Sequence, residues 1–243
     1  MVNKQSIEKA INLVVKHGSF HRNLVLELPN ITDNEDEYHL IKDAIWEWQE
    51  KYHDSETEHL KVVNSIGQEA EMEGDGESSW FTDEMLRIAQ AYRPIYTIHN
   101  HPNTGAMFSG ADIYCLSSHN EKYSMALGED GVMIIKNNIT KMDDKSQRKM
   151  EFISDFADNV ITQWVKKDYA NQIKKYEDKL LDESLSVDEL KSISEETTKF
   201  LNSKIPSTLR KHDKELANAL QTMFDGQKLP CEVYFIPKKK MKR

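Results

Sequence analysis

No glycine or proline occurs from Val132 to Ile205. A stretch this long without the residues that most readily turn or stop a chain favours long helices. After a strand at Val132–Lys136 the pattern is helical. Ile153, Phe156, Val160, Trp164, Tyr169, Ile173, Tyr176 and Leu180 form one long amphipathic stripe. A second helix starts near Ser186, where Ser186 to Glu189 makes a capping box, and a third precedes Met223. The 153–180 stripe reads as core, and its other use is a contact with a second copy or a partner helix. Cys231 to Ile236 reads as a final strand that rejoins a central sheet.

The rest of the chain is punctuated. Ile7, Ala10, Ile11, Val14 and Val15 lie at helical spacing over residues 5–16, ended by Gly18. Leu24–Leu28 is a short strand candidate, and a helix runs from about Glu35 to Tyr52 with Leu40, Ile41, Ala44, Ile45 and Trp48 on one face. From residue 54 the pattern changes to short strands and turns. Leu60–Asn64 and Glu69–Met72 make a hairpin about Ser65–Gln68, and Gly74–Gly76 ends it. Thr82 then caps a helix, with Asp83 and Glu84 in its first turn and Phe81 and Leu86 placed as a staple, and Arg93-Pro94 stops it. Ile95–His101 is a buried strand, Ser109 to about Ser118 a helix, and Tyr123–Leu127 with Val132–Lys136 a hairpin about Gly128–Gly131. The division is an N-terminal helical and strand segment at 1–53, an α+β core at 54–140, and a mostly helical region at 141–243.

Charge narrows the partners. With 32 basic and 41 acidic residues the net charge is -9, which argues against a general nucleic-acid binder. The lysine-rich end, Lys238 to Arg243, reads as a solvated tail. No apolar run approaches the roughly 20 residues that span a bilayer, and no secretory signal is evident at residue 1. Cys115 and Cys231 stand far apart with no CxxC pair, so both are expected as reduced thiols in a cytoplasmic protein.

The chemistry concentrates between Ile98 and Asp112. His99 and His101 are two apart at a strand end, so both imidazoles leave the same face. After a seven-residue loop Ser109 caps a helix that carries Asp112 in its first turn. Two imidazoles, a carboxylate and an open fourth position define a catalytic rather than a structural zinc site. Alone, His-x-His is more often a polar strand edge, and Ser109-x-x-Asp112 is an ordinary capping box. Joined at this spacing they favour the metal.

The complete pattern H-x-H-P with S-x-x-D seven residues on resembles that of the JAMM (MPN+) zinc metalloproteases, over about residues 54–140. The resemblance implies an α+β fold with a cytidine-deaminase-like three-layer mixed sheet, here with flanking helices and a helical C-terminal region. It implies Zn2+ on His99, His101 and Asp112, with an upstream glutamate as general base on the metal's water and then as acid to the leaving amine. Glu58, at the start of its strand, is favoured for that role over Glu56 and Glu69, and Ser109 would hydrogen-bond the oxyanion. The substrate class implied is a protein or peptide amide, including ubiquitin-like conjugates. The core lacks the long insertions of eukaryotic deubiquitinases, which points to the prokaryotic or phage-associated branch. Two other readings stand beside the peptidase: an accessory protein of DNA or mobile elements resembling the RadC group, and a metal-free MPN scaffold. The second fits poorly with a full ligand set. His59 and His119 are expected as surface or partly packed histidines and Cys115 as a small buried side chain; Trp80-Phe81 is a candidate substrate wall, with the staple the stronger reading for Phe81.

Overall fold

A computed structural model describes residues 23–24, 28–52, 54–74, 79–181 and 185–240. The helix expected over 5–16 lies outside the described residues, and so does most of the strand expected at 24–28. Asn23–Leu24 (β1) pairs with Lys239–Lys240 (β8). The main sheet has six strands in the order β3-β2-β4-β5-β6-β7, where β2 is His59–Asn64, β3 Glu69–Glu73, β4 Pro94–Asn100, β5 Tyr123–Leu127, β6 Gly131–Asn137 and β7 Cys231–Pro237. It is mixed: β4 and β5 run parallel, and every other neighbouring pair is antiparallel. A parallel pair needs a crossover, and the helix Gly110–His119 lies in that connection.

Both faces of the sheet are covered, which is why β5 and β6 read as almost continuous apolar runs. On one face α1 (Glu35–Tyr52) lays Ile41, Ala44, Ile45 and Trp48 against Tyr96, Ile98, Tyr123, Met125, Val132 and Ile134. Leu40, expected on that apolar face, is exposed. On the other face α2 (Asp83–Ala91) sets Met85 on Leu60 and Val62. Beside it, α3 (Gly110–His119), α4 (Asp144–Asp168) and α6 (Val187–Gly226) enclose Ala126, Met133 and Ile135. Each large apolar side chain fully buried there is worth about 1.5–3 kcal/mol. The molecule is thus an α+β structure with a mixed sheet between helical layers. The C-terminal helices share a core with residues 54–140, and β7 closes the sheet edge.

Two expectations about the helices are corrected. The stripe over 153–180 does not belong to one helix: the chain breaks at Tyr169 between α4 and α5 (Ala170–Leu180). The buried line in α4 is Met150, Ile153, Ala157, Ile161 and Val165, with Phe156, Val160 and Trp164 only partly covered. The helices expected after Ser186 and before Met223 are a single 40-residue helix that passes through Pro206. An internal proline removes one backbone hydrogen bond and costs about 3 kcal/mol. Packing on both sides of it offsets that cost: Phe200 meets Tyr169 and Tyr176, while Leu216, Leu220 and Phe224 are fully buried. Among the described residues no helix is long and apolar enough to cross a membrane.

Candidate metal centre

The register between β2 and β4 builds the site. Leu60 faces His99 and Val62 faces Thr97, so these four side chains share one face of the sheet. Two residues further, the same parity puts Glu58 on that face across from His101. The structure brings one ligand atom each of Glu58, His99 and His101 within 4.8 Å of one another. Glu58 and His99 are buried, and His101 is partly exposed. Of the three glutamates considered for the base, Glu58 alone is in this group. Glu56 is exposed, and Glu69 pairs with Lys61 at the edge of the sheet.

The two Nε2 atoms of His99 and His101 are 2.9 Å apart. Nδ1 of His101 lies 3.1 Å from the carbonyl oxygen of Gly105. A carbonyl only accepts, so that nitrogen carries a proton, and in the neutral ring Nε2 is left with its lone pair for the site. Two nitrogens on a tetrahedral zinc at 2.0–2.1 Å would stand about 3.3 Å apart, close to the spacing observed. Burial pulls His99 below the ordinary imidazole pKa, opposed by Asp112 and Glu58 and assisted by His101. A neutral imidazole is the form that binds a metal.

Asp112 sits beside this group rather than within it. Its Oδ1 is 3.4 Å from Nε2 of His99, and its Oδ2 is held by the backbone N–H and the hydroxyl of Ser109, both at 2.7 Å. The Asp112 N–H returns a bond to Ser109 Oγ, which completes a reciprocal cap at the start of α3. Both residues expected at the site therefore fix the helix terminus, and one carboxylate oxygen of Asp112 faces His99. The Ser109 hydroxyl proton is committed to Asp112.

Four contributors were not read from the sequence. Asn100, between the histidines, accepts the His59 N–H at 2.9 Å and donates to the Thr57 carbonyl at 3.0 Å, gripping the backbone on either side of Glu58. Its position next to both histidines was the only available signal. Ser79 donates to Glu58 Oε1. Gly105 supplies the carbonyl for His101, and Asp213 of α6 accepts the Ala106 N–H. The other candidates lie elsewhere. His59 stacks on Tyr52 at 3.8 Å, and His119 stacks on Phe81 at 4.2 Å. Burial pushes the Cys115 thiol up to about 12, which leaves it without nucleophilic character. Phe81 packs with Met85 and Ile88, and Trp80 is about half exposed. No family model, curated protein or solved structure matches this chain.

Proposed function

We propose that the chain is a zinc-dependent amide-bond hydrolase of the JAMM (MPN+) type that acts on a protein or peptide. The observation that carries this reading is the meeting of Glu58, His99 and His101 on one sheet face. The donor set suits zinc: a bare Nε2 on His101, a His99 held neutral by burial, and the Oδ1 of Asp112 alongside. The order of elements adds support. Hairpin β2–β3, helix α2, strand β4 ending at the histidines, helix α3 with Asp112 and hairpin β5–β6 follow one another as the sequence pattern orders them over residues 54–140, the part of the chain that carries the resemblance.

Bound zinc supplies the Lewis acidity that activates a water and polarises a carbonyl. Glu58 is the group placed to take a proton from that water and return it to the leaving nitrogen. The Ser109 hydroxyl can donate to an oxyanion only by turning away from Asp112 Oδ2.

Metal analysis of the purified protein is expected to give about one zinc per chain, lost in His99→Ala. Glu58→Gln should keep the zinc and abolish hydrolysis, and the same variant serves as a trap for bound substrates. Wild-type protein that takes up no zinc, even on refolding with it, would overturn the proposal. Unchanged turnover in Glu58→Gln would move the base to another residue.

A further inference from the structure

We propose that Asp213, on the long C-terminal helix α6, is a positioning residue for His101, acting through the backbone of Gly105. This rests on the reading of His101 as a metal ligand. Asp213 is 3% exposed, and its Oδ2 accepts the Ala106 N–H at 3.2 Å. The carboxylate lies hard against Gly105. A Cβ added there would stand 2.5 Å from Oδ1 and 2.7 Å from Oδ2, so a side chain at this position would displace the carboxylate. The carbonyl of this same Gly105 receives the proton on His101 Nδ1. Gly128 also presses on the loop, where an added Cβ would come within 2.2 Å of the Gly105 carbonyl carbon. The Glu129 N–H also bonds the Thr104 carbonyl at 2.8 Å. Arg210, three residues before Asp213 on α6, pairs with Glu129, so one helix fixes both walls of the clamp.

The consequence is chemical as well as mechanical. A histidine binds metal through one nitrogen, and the hydrogen bond at the other decides which one is bare. The Gly105 carbonyl is held in place by the contacts of its peptide with Asp213 and Gly128, and thereby keeps the His101 proton on Nδ1. Oδ1 of Asp213 has no hydrogen-bond partner among the described residues. A buried polar atom left unpaired is a liability for stability alone, so its placement is better accounted for by what the carboxylate does to the loop.

The test is the tautomer of His101 in the metal-free full-length protein, read by long-range 15N–1H NMR and assigned by difference with His101→Gln. In wild type the proton is expected on Nδ1. Asp213→Ala should give a mixture of tautomers and weaken zinc binding by about 10–100-fold, the range for loss of a group that orients a ligand. Asp213→Asn keeps an acceptor for Ala106 and should restore both. Gly105→Ala disturbs the same contact from the other side and should reproduce the Asp213→Ala result, so the idea stays testable if Asp213→Ala does not fold. A wild-type proton on Nε2 would overturn the inference, as would Asp213→Ala with unchanged tautomer and zinc affinity. A protein with the expected tautomers that binds no zinc would instead defeat the metal reading and leave the role of Asp213 standing.

Discussion

Asn100 shows how much one side chain can decide at a strand end. The β2–β4 ladder stops at the Leu60–His99 pair, and two residues beyond it Glu58 must be held without a regular backbone partner in β4. Asn100 supplies the missing rung with its amide, accepting from His59 and donating to Thr57. It is 6% exposed, so water does not replace these bonds when they are lost. Removing two such bonds in Asn100→Ala should cost about 1–3 kcal/mol, seen as a lower urea midpoint. Zinc content should hold, because His99, His101 and Asp112 are placed by β4 and α3. Turnover should fall as Glu58 loses its bracket. Asn100→Asp keeps the acceptor but sets a carboxylate against the Thr57 carbonyl, and is expected to be at least as unstable as the alanine variant. A midpoint unchanged in both variants would show that the bracket does not hold Glu58.

At the scale of elements, the close approach of α3 and α4 gives a sign that helix propensity alone would get wrong. Gly110 opens α3, with its N–H on Asp158 Oδ1 and its carbonyl receiving the Ser154 hydroxyl, each at 2.7 Å. Alanine is favoured over glycine within a helix by about 1 kcal/mol. Here its Cβ would stand 2.4 Å from Asp158 Oδ2 and 2.7 Å from the Ser154 backbone oxygen. The backbone oxygen cannot step aside, and overpacking of this kind costs about 1–3 kcal/mol. Gly110→Ala should therefore lower the urea midpoint, and a raised midpoint would contradict the packing described. The same contrast explains what was legible beforehand. Helices α2 and α3 start where Thr82 and Ser109 predict, because a cap is a bond between residues three apart. His99 and His101 could be grouped because strand parity is local, whereas their meeting with Glu58 depends on the β2–β4 register, which no turn between those strands sets; Glu58 was singled out by the resemblance and by its place at the start of its strand. The passage of α6 through Pro206 and the break at Tyr169 depend on Phe200 and the buried α6 residues, partners that only the folded chain brings together. Asp213 lies 107 residues from Ala106 in the chain, and no spacing rule reaches that far. Asp112 was placed correctly on its helix. Its distance from the histidines depends on how α3 is seated, which the sequence pattern does not define.

For the whole molecule, the buried carboxyls make stability depend on pH in an unusual direction. Glu121, between α3 and β5, is 1% exposed. One of its oxygens accepts the Thr97 hydroxyl at 2.6 Å, and the other has no hydrogen-bond partner among the described residues. Burial pushes it up to about 7, and burial pushes Asp213 up to about 7 as well. In the unfolded chain these groups titrate near about 4.3 and 3.9. Between those values and pH 7 the folded protein binds more protons than the unfolded one, so stability falls as pH rises through this window. The loss is at most about 1.4 kcal/mol per pH unit for each group. His59, His99 and His119, all lowered by burial, act in the opposite sense. Their contribution is present above the unfolded histidine pKa and is lost as pH falls. The net curve mixes both, and Glu121→Gln separates them. Glutamine can keep the bond from Thr97 and cannot ionise, so the variant should gain stability relative to wild type as pH is raised from about 5 to about 7.5. Urea midpoints of both proteins at the two pH values, in chelator so that no metal contributes, measure this directly. A wild-type-to-variant difference that is the same at both pH values would show that Glu121 already carries its charge in the folded state at pH 5.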